Sequence, residues 1–359
     1  MPLIKSADEG KLNGLAPRAC ELCHRSDGIL RCSACQAVYY CGRDCQTEDR
    51  GGHKMACMLI KNARRRYEFE EKKLRDTPGD VTTSENIFED NIGHFWDILE
   101  ARPYMRARYG LVDAMLQSCG KAGGPVDLVQ IALDHLLDMM RLCRQDNMGA
   151  RHLIPALYIR LGRDQNAYDF MKWYATTGEE PQFDWRDMNQ PFLDIKDADA
   201  LEAPAKSWTK TTFLELNHAV ALVLIKVRIL LDLQAIQNAR IALRGVIPQE
   251  IIEIIRSQLV NCIVGSRNDI LLAMPEKTAQ LLETIKSQVK EVYRAIEEYN
   301  LYFWGMLVKG MDAGVLQSPI DPSAEQSFEE ALLVIENSYA SWYETPGAVD
   351  VLRSLSKAS

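Results

Sequence analysis

At 359 residues, the chain exceeds the usual span of one domain, so a small module joined to a larger body is expected. Its 47% hydrophobic and 26% charged residues exclude a mainly disordered polymer, and a formal charge of −8 argues against a protein that binds nucleic acid as a whole. Seven of the 10 cysteines fall between Cys20 and Cys57; in an intracellular chain such clustering points to metal rather than disulfides.

Residues 1–19 mix charges with scattered apolar residues and offer no apolar core for a signal peptide. They are expected to be a flexible N-terminus, and secretion is not expected. The next segment, 20–57, is dominated by paired ligands. Cys20 with Cys23, and Cys32 with Cys35, are two-residue-spaced knuckles, each able to present two thiolates to one tetrahedral ion. Cys41 with Cys45, and His53 with Cys57, stand four apart, the spacing of one helix face. Four pairs give eight ligands, enough for two zinc ions. The alternative, seven cysteines acting as small buried apolar residues, leaves that regular pairing unexplained.

Written out, C-x2-C-x8-C-x2-C-x5-C-x3-C-x7-H-x3-C closely resembles the MYND zinc finger at every ligand position. RING fingers end instead in a C-x2-C knuckle, which disfavours ligase activity. The resemblance implies that Cys20, Cys23, Cys41 and Cys45 hold one zinc ion, and Cys32, Cys35, His53 and Cys57 the other. So short a module cannot bury a sufficient core, and metal binding would supply its folding free energy. With eight protein ligands no open position remains for a catalytic water. Val38-Tyr39-Tyr40 reads as a short strand, matching the family's small hairpin. Fingers of this family are known for docking short proline-containing peptides of Pro-x-Leu-x-Pro type, partly by strand addition. The family's peptide-facing Gln and Trp correspond to Gln46, which is kept, and Arg50, which replaces the aromatic anchor and would suit an acidic ligand.

Helical periodicity continues from His53 through Ile60, Tyr67 and Leu74 to the break at Thr77-Pro78-Gly79, so residues 58–78 are expected to form a basic linking helix. Residues 61–75 carry seven basic residues against three acidic ones, a local net of +4, with Arg64, Arg65, Arg66 and Lys72 as the candidate patch. Either this is a solvated helix face, partly neutralised by a Glu68–Lys72 pair, or it touches an acidic partner or nucleic acid.

Residues 79–359 read as an all-α domain. Helices are expected over 86–100 and 104–118, broken by Pro103, then 126–145, 149–161 and 164–174. After them come 211–240, 248–263, 276–308, 323–343 and 347–356. The fold class expected is mostly α, an irregular helical array. The turn through Leu157, Arg160-Leu161-Gly162 and Ala167 looks like that of a tetratricopeptide repeat. Residues 179–205 interrupt the array with three prolines and eight acidic residues against two basic ones. Phe183, Trp185 and Phe192 suggest a docked loop, either a strap or a binding element. Pro191-Phe192-Leu193-Asp194-Ile195 approximates the family's peptide ligand, so the loop could occupy the chain's own finger. The most apolar run, Ala219 to Leu233, is interrupted by Lys226, Arg228 and Asp232, so no membrane span is expected.

Many proteins with this finger are SET-domain methyltransferases, but that reading fails. With the finger starting at Cys20, no room is expected for the SET segment that precedes it in those enzymes, and Asn217-His218 continues into Ala219-Val220 instead of the family's Asn-His-Ser-Cys. Cys143, His135 and His152 lie on helical patterns without a catalytic motif, and core or surface roles are favoured over catalysis. A deep pocket lined by paired titratable groups would revive an enzymatic reading. The whole chain resembles fungal-type proteins in which an N-terminal MYND finger precedes an uncharacterised helical region. The expected function is a zinc-binding, non-enzymatic protein–protein interaction module or adaptor. The alternative is a nuclear transcriptional regulator contacting nucleic acid through the basic helix. Nucleus versus cytoplasm, and oligomeric state, stay open.

Overall fold

Apolar residues at three- to four-residue spacing dominate the chain after the cysteines, and the resulting fold is mainly helical. The computed structural model describes residues 14–79, 86–212, 214–243, 247–309 and 325–357; residues 1–13 of the expected flexible N-terminus lie outside them. Among the described residues the only sheet is a two-stranded ladder, β1 (Leu30–Arg31) antiparallel to β2 (Tyr39–Tyr40). The sequence divides at 57/58 and 78/79; the contacts instead define two units, Gly14–Leu157 with Gln182–Phe192, and Tyr158–Pro181 with Leu193–Ser359.

In the first unit, helix α1 (Arg43–Arg75) leaves the finger as one continuous 33-residue rod, roughly 50 Å long at 1.5 Å per residue. It begins ten residues before His53, and so includes part of the finger itself. Ile60 and Leu74 are buried on its inner face, which packs along α2 (Arg102–Ser118); α2 in turn packs on α3 (Val126–Leu142). Pro103 lies in the first turn of α2, where a missing N–H costs nothing. The helix expected over 86–100 is replaced by short turns: Ile87–Asp90, Phe95–Asp97 and Leu99–Ala101. Their Phe88 and Phe95 rings pack on Tyr104. Below these rings the buried Arg108 donates to Tyr104 Oη at 3.0 Å, to His135 Nδ1 at 3.2 Å and to the Asp138 carboxylate. Arg144 holds the 182–192 segment by donating to the carbonyls of Asp187, Met188 and Gln190, with the Phe192 ring against its guanidinium.

The second unit is built around α5 (Leu216–Ala242), which is buried over most of its length and therefore apolar on every side. Helices α4 (Asp164–Ala175), α6 (Pro275–Tyr299), α7 (Phe328–Tyr343) and α8 (Ala348–Ser356) pack on it. The three charges that interrupt its apolar run are all buried and satisfied. Lys226 Nζ donates to the carbonyls of Ala200 and Glu202 and to Gln288 Oε1, at 2.6–2.8 Å. Arg228 pairs with Asp164, and Asp232 accepts from the backbone N–H groups of Val260 and Asn261. That last bond explains why the helix expected over 248–263 is split: residues 259–261 leave helical geometry to reach Asp232. The helix expected over 276–308 stops at Asn300, whose side chain donates to Ser327 O and accepts from Tyr302 N. No helix among the described residues is long and apolar enough to cross a membrane.

Candidate metal centre and docking surface

Each two-residue knuckle closes the same way. The N–H of the residue after the second cysteine returns to the carbonyl of the first, His24 to Cys20 at 2.9 Å and Gln36 to Cys32 at 2.8 Å. Both residues take left-handed backbone angles, φ 58°, which turns the thiol pair onto one side. Cys41 precedes α1 by two residues and lies off it, whereas Cys45, His53 and Cys57 project from the helix. The expectation that Cys41 and Cys45 share a helix face is corrected here: Cys41 reaches the set from ahead of the helix, across the extended N-cap Gly42.

These supports gather the eight side chains into two sets, Cys20, Cys23, Cys41 and Cys45, and Cys32, Cys35, His53 and Cys57, with the ligand atoms of each set within 4.8 Å of one another. Tetrahedral zinc with ~2.3 Å bonds to sulfur and ~2.0–2.1 Å to nitrogen has S···S edges of about 3.8 Å and S···N edges of about 3.6 Å. The Cys23–Cys41 and Cys41–Cys45 separations are 3.5 Å, Cys32–Cys57 is 3.8 Å, and Cys35 Sγ to His53 Nε2 is 3.5 Å. Each set therefore fits one zinc ion. The acidities point the same way. Cys35 is pushed up to about 12 by burial and by the neighbouring Cys32 and Cys57 charges. Cys32 opposes its own burial through hydrogen bonds from the Cys35 backbone and His53, and falls to about 6. Thiols this close ionise together only around a cation.

The surroundings fix these ligands from outside the cysteine pattern. Tyr40 sets its ring edge against His53 at 5.9 Å and donates to Asp49 at 2.6 Å. Ala37 N–H points at Cys35 Sγ at 3.4 Å. Tyr39 donates to Asp127, which also pairs with Arg31, while Ala16 exchanges backbone bonds with Gly124 and Val126 at 2.9 Å each. Gly124 is obligatory there, because a Cβ would stand 2.5 Å from the Cys119 carbonyl oxygen. The finger is thus docked onto the start of α3. The signal was present in the sequence: adjacent strand residues face opposite ways, so Tyr39 and Tyr40 cannot both pack inside a small finger.

Residues 20–57 match the family model of the MYND finger. The segment is a MYND finger. No curated protein and no solved structure matches the chain. MYND fingers are a known family of protein-interaction modules, and the face of this one that bears on such a role is built as follows. In the hairpin, β2 is bonded to β1 on one side and to the Cys20 segment on the other. Leu30 on β1 is 77% exposed. Gln46 has its amide 3.8 Å from Cys32 Sγ, so it faces the second ligand set; Arg50, one turn further, is exposed.

The basic patch is rearranged. Arg64 donates to the Cys35 carbonyl at 3.2 Å and so braces the second knuckle, whereas Arg65, Arg66 and Lys72 are exposed. The ion pair of this stretch is Arg75 to Glu71 at 2.9 Å, not Lys72 to Glu68. Residues Pro191 and Phe192 belong to the segment gripped by Arg144, whose guanidinium donates to the Gln190 carbonyl and lies over the Phe192 ring. His135 accepts from Arg108, and Cys143 donates to Asn147. A cavity of about 300 Å³ opens between Tyr67, Phe88, Tyr104, Arg108 and Asp138. Among its charged lining residues Arg75 pairs with Glu71 and both Arg108 and Arg141 with Asp138, and Glu89 adds a further carboxylate.

Proposed function

We propose that the chain is a non-enzymatic adaptor whose MYND finger docks a short extended segment of another protein. The carrying observation is the β1 edge. Among the described residues no strand pairs with its outer side, and Leu30 stands exposed on it. A peptide added there as a third strand would gain backbone hydrogen bonds, with side-chain selection from Leu30, Gln46 and Arg50. Arg50, standing where the family keeps an aromatic anchor, selects for an acidic residue in the ligand. The absence of catalysis is supported by the ligand sets, which leave no coordination position for water once each holds one ion. Seven thiols committed to zinc suit a reducing, intracellular compartment.

Calorimetric titration of the full chain with a Pro-x-Leu-x-Pro peptide, with and without a flanking Glu, tests this reading. Stronger binding of the acidic version is expected, with Leu30→Asp and Arg50→Ala each costing about 1–2 kcal/mol at unchanged zinc content. Affinity indifferent to both substitutions would overturn it.

A further inference from the structure

The inner face of α1 is occupied by α2, but its outer face is not an ordinary solvated surface. Four large apolar side chains stand on it in the open: Met55 at 60% exposure, Met58 at 43%, Leu59 at 53% and Phe69 at 64%. The exposed basic residues Lys54, Arg65, Arg66, Lys72 and Lys73 share this face. From Lys54 to Lys73 the only exposed acidic residue is Glu68, in a chain whose net charge is −8. Positions 55, 58, 62, 65, 66 and 69 recur at three to four residues, so they form one stripe. Met55 and Phe69 lie about 21 Å apart along the axis. Just above Met55, Gly51 and Gly52 lower the stability of the helix and leave its backbone bare, with nothing within 4 Å of a Cβ at Gly51.

We infer that this stripe is a docking surface for an acidic amphipathic helix of a partner protein. Ridges at three- to four-residue spacing accept the side chains of a second helix, and the glycine pair lets its end approach closely. Complementarity dictates its pattern: two apolar clusters about three turns apart, to meet Met55, Met58 and Leu59 at one end and Phe69 at the other, with carboxylates between them opposite Arg65 and Arg66. A nucleic-acid backbone would answer the cations but would lay phosphates over Phe69 and Leu59. A bilayer would bury Arg65 and Arg66, which interrupt the apolar stripe instead of flanking it. Methionines suit a surface that repacks around a helical ligand. The stripe lies beyond the β1 edge and does not rest on the peptide-docking reading of the finger.

Fluorescence anisotropy on the full-length, zinc-loaded protein provides the test. The probe is a labelled twenty-residue peptide of helical pattern with Leu clusters three turns apart and Glu between them. Controls are the same peptide with Gln or Lys for Glu, a mixed-sequence DNA duplex, and phosphatidylcholine vesicles with 30% phosphatidylserine. At least tenfold tighter binding of the Glu peptide than of the Gln or Lys peptides is expected. Met58→Asp with Phe69→Asp, and separately Arg65→Glu with Arg66→Glu, should each weaken it tenfold or more with circular dichroism and zinc content unchanged. Leu30→Asp should leave it unaltered, which separates this surface from the finger's edge. No binding of the Glu peptide, equal binding of the Lys peptide, or tighter binding of the duplex or vesicles would overturn the assignment.

Discussion

His135 stays neutral because it has to accept a hydrogen bond. Burial, then the positive charges of Arg108 and Arg64, hold it down to about 4, and its Nδ1 takes the Arg108 Nε–H. A depressed histidine contributes its stability fully above the unfolded value of about 6.5, and that contribution is lost as pH falls from 6.5 toward 4. The amount at stake is on the order of 3 kcal/mol. Urea unfolding in excess zinc at pH 7, 5.5 and 4.5 should therefore show a smaller acid loss in His135→Gln, which can accept but not titrate, than in the parent; identical slopes would assign the titration elsewhere. The sequence shows His135 on a helical pattern. It does not show the partner, because a buried arginine such as Arg108 looks like any surface arginine until its carboxylate, 30 residues away, is brought alongside. The zinc ligands are the opposite case. Their chemistry lies in residue type and local spacing, so all eight are readable, whereas Tyr40, Asp49 and Arg64, which brace them, become visible only once the knuckles close.

At the level of elements, α1 shows where local signals mislead. The basic linking helix was expected over 58–78, with periodicity followed from His53; α1 runs unbroken from Arg43 through Gly51-Gly52, with Cys45 on one side of the glycines and His53 and Cys57 on the other, each in one of the two ligand sets. Since a Cβ at Gly51 meets open space, Gly51→Ala should stabilise the zinc-loaded protein by about 1 kcal/mol, seen as a higher urea midpoint at unchanged m-value. A lower midpoint would mean that the glycine is needed for more than helix geometry. Elsewhere the core positions are legible from periodicity and the ends are not. Asp232 draws residues 259–261 out of a helix and Asn300 stops α6, both by side-chain bonds to backbone groups that no periodic pattern encodes.

For the molecule as a whole, the mostly helical class was legible because apolar residues keep a 3.6-residue period after the finger, and strand signals are confined to the hairpin. The division into two units was not, since it falls inside the helix Ile154–Arg160, with no linker composition to mark it. For the docking of the finger onto α3 only the outward-facing strand tyrosine was legible; its partners Asp127 and Gly124 lie far from the cysteines in sequence. Everything proposed for this surface, from the β1 edge to the stripe on α1, depends on one central claim: that the two ligand sets hold two structural zinc ions. Zinc K-edge absorption combined with metal quantitation on the full chain tests it most directly. Two zinc ions per chain are expected, with seven sulfur and one nitrogen ligands shared between them, at about 2.3 Å and 2.0–2.1 Å. One ion per chain, oxygen in the coordination shell, or disulfides among Cys20 to Cys57 would contradict it.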